Sequence, residues 1–226
     1  MDILINTPVF GITLTLIAYF IAKKFAQRVN TPLANPIIVA SLIISSVIIL
    51  GKIPIANYQA GGDLLIMLIL PATICLSVMV YENLSKIKQQ LLPIIVGSIV
   101  GAIVSIASIL FFSQFWGLPP FLQRSLLPKS VTAAIAMDLS LSLQGTLSLT
   151  IMAVMITGIT GALLGPSVLR LLQIKDPVLQ GLALGTSSHV IGTSKAIEMG
   201  PIQGASSSIA LFCTGIITAL ILLFIY

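Results

Sequence analysis

Apolar residues run along this chain in long blocks rather than in alternation. Free of charge are 3–22, 29–51, 64–81, 89–123, 139–169, 177–194 and 199–226. The blocks lack the twofold alternation of a half-buried strand, and they are apolar all round, as helices in lipid are. About 20 apolar residues span a hydrocarbon core at 1.5 Å per residue, so most blocks predict one crossing each. The block 89–123 is too long for one. It breaks at Trp116-Gly117-Leu118-Pro119-Pro120, where an interfacial tryptophan meets helix-stopping prolines.

Composition removes the alternatives. The 226 residues carry eleven basic and six acidic side chains, 8% in all, where a soluble domain carries about 25%. Apolar residues make up 57%, and the mean hydropathy is +1.14. A soluble fold of this size cannot hide that much aliphatic surface. Disorder, collagen-like repeats and a disulfide scaffold are excluded by the same figures. Cys75 and Cys213 lie in apolar runs and read as small packing residues. One histidine, His189, excludes a multi-histidine metal site, and no cofactor is indicated. A net charge of +5 from scattered bases gives topology signals and no nucleic-acid footprint.

The first block does not read as a cleavable signal peptide: Asp2 precedes it, and Lys23, Lys24 and Arg28 follow. Those three bases place the first loop inside and the N-terminus outside. The segment 36–50 exits, 64–81 returns to Glu82, Lys86 and Lys88, and 91–115 exits again. Simple counting then fails. The run 121–144 carries Arg124, Lys129 and Asp138, yet the next crossing, 146–169, ends at Arg170, Lys175 and Asp176, which belong inside. The run 121–144 is therefore expected to enter and leave by one face. Irregular backbone at membrane depth is tolerated only where protein buries it or it lines a wet cavity. Glycines, hydroxyls and charges interrupt 177–199 in the same way, and 202–226 makes a last crossing.

The expected fold is all-α: a multi-pass membrane protein, one integral domain over 1–226, with six full crossings plus two broken or re-entrant segments. Ala134-Ile135-Ala136-Met137 echoes Ala196-Ile197-Glu198-Met199 across those two segments, which leaves an inverted repeat open. Gly97-x3-Gly101 and Gly161-x3-Gly165 fit close helix packing through small residues.

Two polar constellations fall in the irregular segments. The first is Pro128-Lys129-Ser130-Val131-Thr132, with Asp138 following. A helix starting near Lys129 would aim free N–H groups, an ammonium and two hydroxyls at one point, an anion site. The bland alternative is a snorkelling lysine beside capping hydroxyls. The second runs from Gly185 through Thr186, Ser187, Ser188, His189, Gly192, Thr193 and Ser194 to Lys195, with Glu198 three residues on, in pairing distance on a helix. His189 suits proton carriage or anion binding, and equally a hydrogen-bonded buried histidine. No Gly-x-Ser-x-Gly, His-Glu-x-x-His or paired-aspartate pattern occurs, so an enzyme is not expected.

At these segments, and over nearly its whole length, the sequence resembles the LrgB/CidB family of bacterial membrane proteins. The likeness rests on Asn35-Pro36-Ile37-Ile38-Val39-Ala40, Leu70-Pro71-Ala72-Thr73 with Tyr81, Pro128-Lys129-Ser130-Val131-Thr132 and Gly158–Pro166. The Gly181–Glu198 run and Gly204-Ala205-Ser206-Ser207-Ser208 complete it. The resemblance implies a bacterial cell membrane location and two kinds of role. One is antiholin-like or holin-like modulation of murein hydrolases and autolysis. The other is transport of small carboxylates, pyruvate among bacterial relatives and glycolate or glycerate in a plastid relative. Both imply a small holin-like partner of the LrgA/CidA type; a homo-oligomer is left open. The chain departs from the family at Ala133-Ala134, where Thr-Pro is usual, and at Lys195, where arginine is usual. Lysine is a point charge and cannot clamp a carboxylate through two parallel bonds.

The expectation is thus a carrier or facilitator of a small organic anion in the lipid bilayer. Lys129 and Lys195 would supply charge, and Ser130, Thr132, Thr186, Ser188 and Thr193 hydrogen bonds. His189 would couple a proton or set affinity, and Asp138 and Glu198 would balance the lysines when the site is empty. The rival is an interaction protein that tunes the holin-like partner. A self-assembling pore is disfavoured by the uniformly apolar crossings.

Overall fold

The structure, a computed structural model, describes residues 7–29 and 36–226. Asp2 and Asn35 lie outside the described residues, as do the side chains of Leu70, Ala72, Thr73 and Lys86. The chain divides into two compact units, Met1–Cys75 and Leu76–Tyr226.

The first unit holds α1 (Pro8–Val29), α2 (Pro36–Leu50) and α3 (Ile55–Ile66). α1 starts later than the charge pattern suggests and takes Lys23, Lys24 and Arg28 into its last turns. It meets α3 where Gly11 faces Gly61, and a Cβ on Gly11 would stand 3.0 Å from the Gly61 Cα. That approach lets Thr15 Oγ1 bond the Tyr58 hydroxyl at 3.0 Å. Ala18 and Ala22 of α1 pack with Ala40 of α2.

α4 (Ile69–Glu82) runs across the boundary between the units. In the second unit α5 (Leu84–Ile87) and a 3-10 turn lead into α6 (Leu91–Phe115). α7 (Pro120–Leu126), α8 (Ala133–Ser142), α9 (Leu147–Leu171), α10 (Pro177–Met199) and α11 (Pro201–Ile225) follow. Among the described residues, four helical stretches are long and apolar enough to cross a membrane: Pro8–Val29, Lys88–Phe115, Leu147–Leu171 and Pro201–Ile225. The expected segment 36–50 is matched by α2, and the expected segment 64–81 is interrupted. α2 has 15 residues, and a break at Met67–Leu68 leaves α4 with 14. Each is about 22 Å of helix, short of a hydrocarbon core of about 30 Å.

The break after α6 falls where the sequence places it. Phe115 ends the helix, Trp116 stacks on Phe112 at 5.1 Å, Gly117 turns the chain at φ 62°, and Pro119 leads into α7. The following segment returns to where it began. Arg124 donates to Gln144 Oε1 at 3.2 Å, and the Thr146 amide donates to Ser125 Oγ at 2.7 Å. Thr150 Oγ1 is 2.7 Å from Ser140 Oγ and 3.0 Å from the Ser125 carbonyl. Residues 120–142 are therefore a hairpin whose mouth lies between the end of α6 and the start of α9.

α10 is a second hairpin. Ser188 (φ −136°, ψ 16°) and His189 (φ 43°, ψ −137°) fold it back on itself. A Cβ on Gly192 would strike the Leu184 carbonyl, which a straight helix holds about 12 Å away. Leu184 and Ala196, from the two arms, share one core cluster. The Gln180–Gln203 bond of 3.2 Å joins the first arm to α11, which begins just after the second arm ends. This hairpin opens at the other end of the unit, beside the start of α6 and the end of α9. Gln90 Nε2 bonds Asp176 Oδ2 at 3.3 Å, Val178 packs with Ile87 and Ile94, and Gln180 Nε2 bonds the Ile174 carbonyl at 2.8 Å. The chain finishes at the mouth of the first hairpin, with Arg124 5.9 Å from the Tyr226 ring.

The sequence echo does not mark equivalent places. Ala134–Met137 follows directly on the first reversal, whereas Ala196–Met199 ends the second arm of α10. The cysteines are not core residues either: Cys75 is exposed and Cys213 half-buried, since each apolar helix turns part of its wall outward.

Candidate functional site

The reversal of the first hairpin spans 127–132. Turn bonds from the Lys129 amide to Leu126 and from the Val131 amide to Pro128 hold it. The helix does not start near Lys129, as Pro128 suggests. It starts at Ala133, because Thr132 adopts an extended conformation (ψ 151°) and its Oγ1 accepts from the Ile135 amide. Pro128 and Val131 are buried and anchor the turn. Lys129 and buried Ser130 then reach α6. Ser105 Oγ lies 2.8 Å from Ser130 Oγ and 3.3 Å from Lys129 Nζ, and Nζ lies 3.3 Å from Ser130 Oγ. Ser105 is roughly 15 Å along the axis from the end of α6 at Phe115, near the middle of the helix.

The second reversal reaches the same helix. Glycine seams hold it from two sides. On α6, a Cβ at Gly97 would meet Leu182, and one at Gly101 would stand 3.2 Å from Thr186 Cβ. On α9, Gly165 faces Leu184, Gly161 faces Ser188 and Gly158 faces the His189 ring. The missing side chain at Gly158 lets His189 Nε2 approach the Val154 carbonyl to 2.9 Å. A carbonyl only accepts, so Nε2 carries the proton and Nδ1 is the imidazole's other face. His189 is 3% exposed, and its left-handed φ is uncommon for a non-glycine residue, a cost of order 1–3 kcal/mol. Thr193 Oγ1 bonds the His189 carbonyl at 3.0 Å and Ser207 Oγ at 2.9 Å.

Both reversals thus abut α6 within one turn, Thr186 at Gly101 and Lys129–Ser130 at Ser105. Val131 from the first and Val154, whose carbonyl takes His189, belong to one buried apolar cluster. Lys129, Ser130, Thr132, Thr186, Ser188, His189 and Thr193 all lie at or beside the two reversals.

Lys195 and Glu198 do not. They sit about 9 Å or more down the second arm of α10, toward its mouth. They pair at 2.8 Å, as their spacing predicts, with side chains 37% and 66% exposed. Asp138 is exposed on α8, and among the described residues Lys129 has no carboxylate within ion-pair distance. Asp138 thus makes no direct ion pair with Lys129, whose ammonium meets the Ser105 and Ser130 hydroxyls. Sequence reasoning missed Ser105, the hydroxyl on which the first reversal lands. Its signal was the four-residue register Gly97, Gly101, Ser105, which puts all three on one face of α6.

The model of the LrgB-like family matches residues 15–226. Proteins from two strains of Staphylococcus epidermidis, each described as "Holin-like protein CidB", are 33% identical to this chain over 214 residues. That match covers 95% of this chain and 93% of each relative. No solved structure matches the chain.

Proposed function

Because the chain belongs to the LrgB-like family and is a membrane protein, we propose that it carries or facilitates passage of a small monocarboxylate of the pyruvate or glycolate kind. It would work with a small holin-like partner in the bacterial cell membrane. One observation carries the reading: two hairpins opening at opposite ends of the second unit place their reversals one turn apart on the middle of α6. A lone ammonium at that depth costs about 2.5–3.5 kcal/mol or more. An incoming carboxylate offsets that cost, which gives Lys129 a reason to be there. Ser130 and Ser105 hold the ammonium. The second arm of α10 begins at the reversal, so the free amides of its first turn lie beside His189, as half-helix ends do in carriers. The succession of span, hairpin, span, hairpin and span supports an inverted arrangement, with α2 and α4 as short crossings that bring the total to six. Lys195–Glu198 fits the mouth of the second hairpin, as an entry pair rather than a ligand.

The test is uptake of labelled pyruvate and glycolate into proteoliposomes by wild type, Lys129→Ala and His189→Ala at matched protein level. Loss of more than about tenfold in Lys129→Ala is expected. Unchanged uptake in both variants sinks the assignment.

A second reading is favoured by the name of the staphylococcal relatives, holin-like protein: regulation of murein hydrolases and autolysis through contact with the holin-like partner. It needs no anion site. It predicts that lysis responds to substitutions on the exposed apolar walls and not to Lys129→Ala.

A further inference from the structure

Thr214 of α11 stands out among the buried hydroxyls. It is 1% exposed, and its Oγ1 has no hydrogen-bond partner among the described residues. Hydroxyls elsewhere in these helices fold back onto the carbonyl four residues earlier, as Thr15 does to Gly11, Thr193 to His189 and Ser208 to Gly204. Thr214 does not, and a buried polar atom left single is rare in native folds.

Its place explains what it faces. Ser207 meets Gly185 and Thr193 of the second hairpin. Seven residues make almost two whole turns, so Thr214 lies on the same stripe of α11 as Ser207, about 10 Å further along. The reversal at Ser188–His189 is only about 5 Å beyond Gly185. Thr214 therefore lies on the side of α11 that faces the second hairpin, but past its end. The adjacent Gly215 faces the first hairpin, where a Cβ would stand 3.2 Å from Ile135 Cδ1, just after the Lys129–Thr132 turn. The single hydroxyl sits between the two reversals.

We propose that Thr214 reads the oxygen on the second carbon of the transported acid while Lys129 holds the carboxylate. This rests on the carrier reading and deepens it. A hydroxyl donates to a 2-oxo group and exchanges a bond with a 2-hydroxy group, so one residue serves both classes. An acid with no oxygen there leaves Thr214 unpaired, and a site built around a hydrogen bond rejects such an analogue.

The experiment compares pyruvate, glycolate and propionate uptake by proteoliposomes of wild type, Thr214→Val and Ser98→Ala. Valine keeps the shape of threonine. Ser98 of α6 is the other buried hydroxyl without a partner among the described residues, and serves as the control. Wild type is expected to favour the two oxygenated acids, and Thr214→Val to lose about five- to tenfold of that preference with propionate uptake kept. Ser98→Ala is expected to keep the wild-type preference. An unaltered preference in Thr214→Val, or an equal loss for all three acids, overturns the assignment and leaves the carrier reading standing. No uptake of any acid by wild type removes both.

Discussion

The two hairpins solve one problem, a chain reversal among packed helices, by different means. The first reverses over six residues, carries a lysine, and is tied by hydroxyl bonds at its mouth through Ser125, Ser140 and Thr150. The second reverses over two residues at a strained histidine and is clad by five glycines of α6 and α9 along its first arm and turn. The first is held at its base and exposes chemistry at its end. The second is held along its first arm and at its turn. Small-residue seams give close backbone packing where lipid supplies no hydrophobic drive, and an overpacked seam has nowhere to relax.

That contrast is sharpest at Gly161. Any Cβ there collides with the Ser188 side chain. Gly161→Val is expected to cost about 3 kcal/mol, or to prevent accumulation of folded protein, in melting of the detergent-solubilised chain. A melting point equal to wild type would show that the second hairpin is loosely held after all. Lys129→Met probes the other hairpin and should act in the opposite sense. It removes a charge that no carboxylate pairs with among the described residues and keeps the stem, so stability should rise by about 1–2 kcal/mol while carboxylate uptake falls. If stability and uptake fall together, Lys129 is a structural strut and the contrast collapses. The smallest effect belongs to the exposed pair at the mouth. Lys195→Ala should shift stability by less than about 0.5 kcal/mol, and salt should erase even that. A larger loss would bring the mouth of the second hairpin into the site.

Much of this was legible in residue order. Charge spacing alone demanded that 121–144 return to its own face, and the Arg124–Gln144 and Ser125–Thr146 bonds close it there. The density of glycine and hydroxyl in 177–199 marked a segment unable to face lipid, and it proves to be a hairpin. Depth was not legible. Lys129 and Lys195 look alike as letters, yet one lies at a reversal and the other on an exposed arm, because only the fold fixes where a helix starts. Thr132 rather than Pro128 begins α8, since an extended residue with a capping oxygen decides the start. The start of α4 escaped for a similar reason: charge-free runs bound a helix from outside and do not reveal breaks such as Met67–Leu68.

Asp176 carries a mechanical consequence. One of its carboxylate oxygens caps the first turn of α10 through the Val178 and Leu179 amides, and the other takes Gln90 at the foot of α6. A single side chain thus ties the start of the second hairpin to the foot of the helix on which both reversals rest, so the two elements share one anchor at that end of the unit.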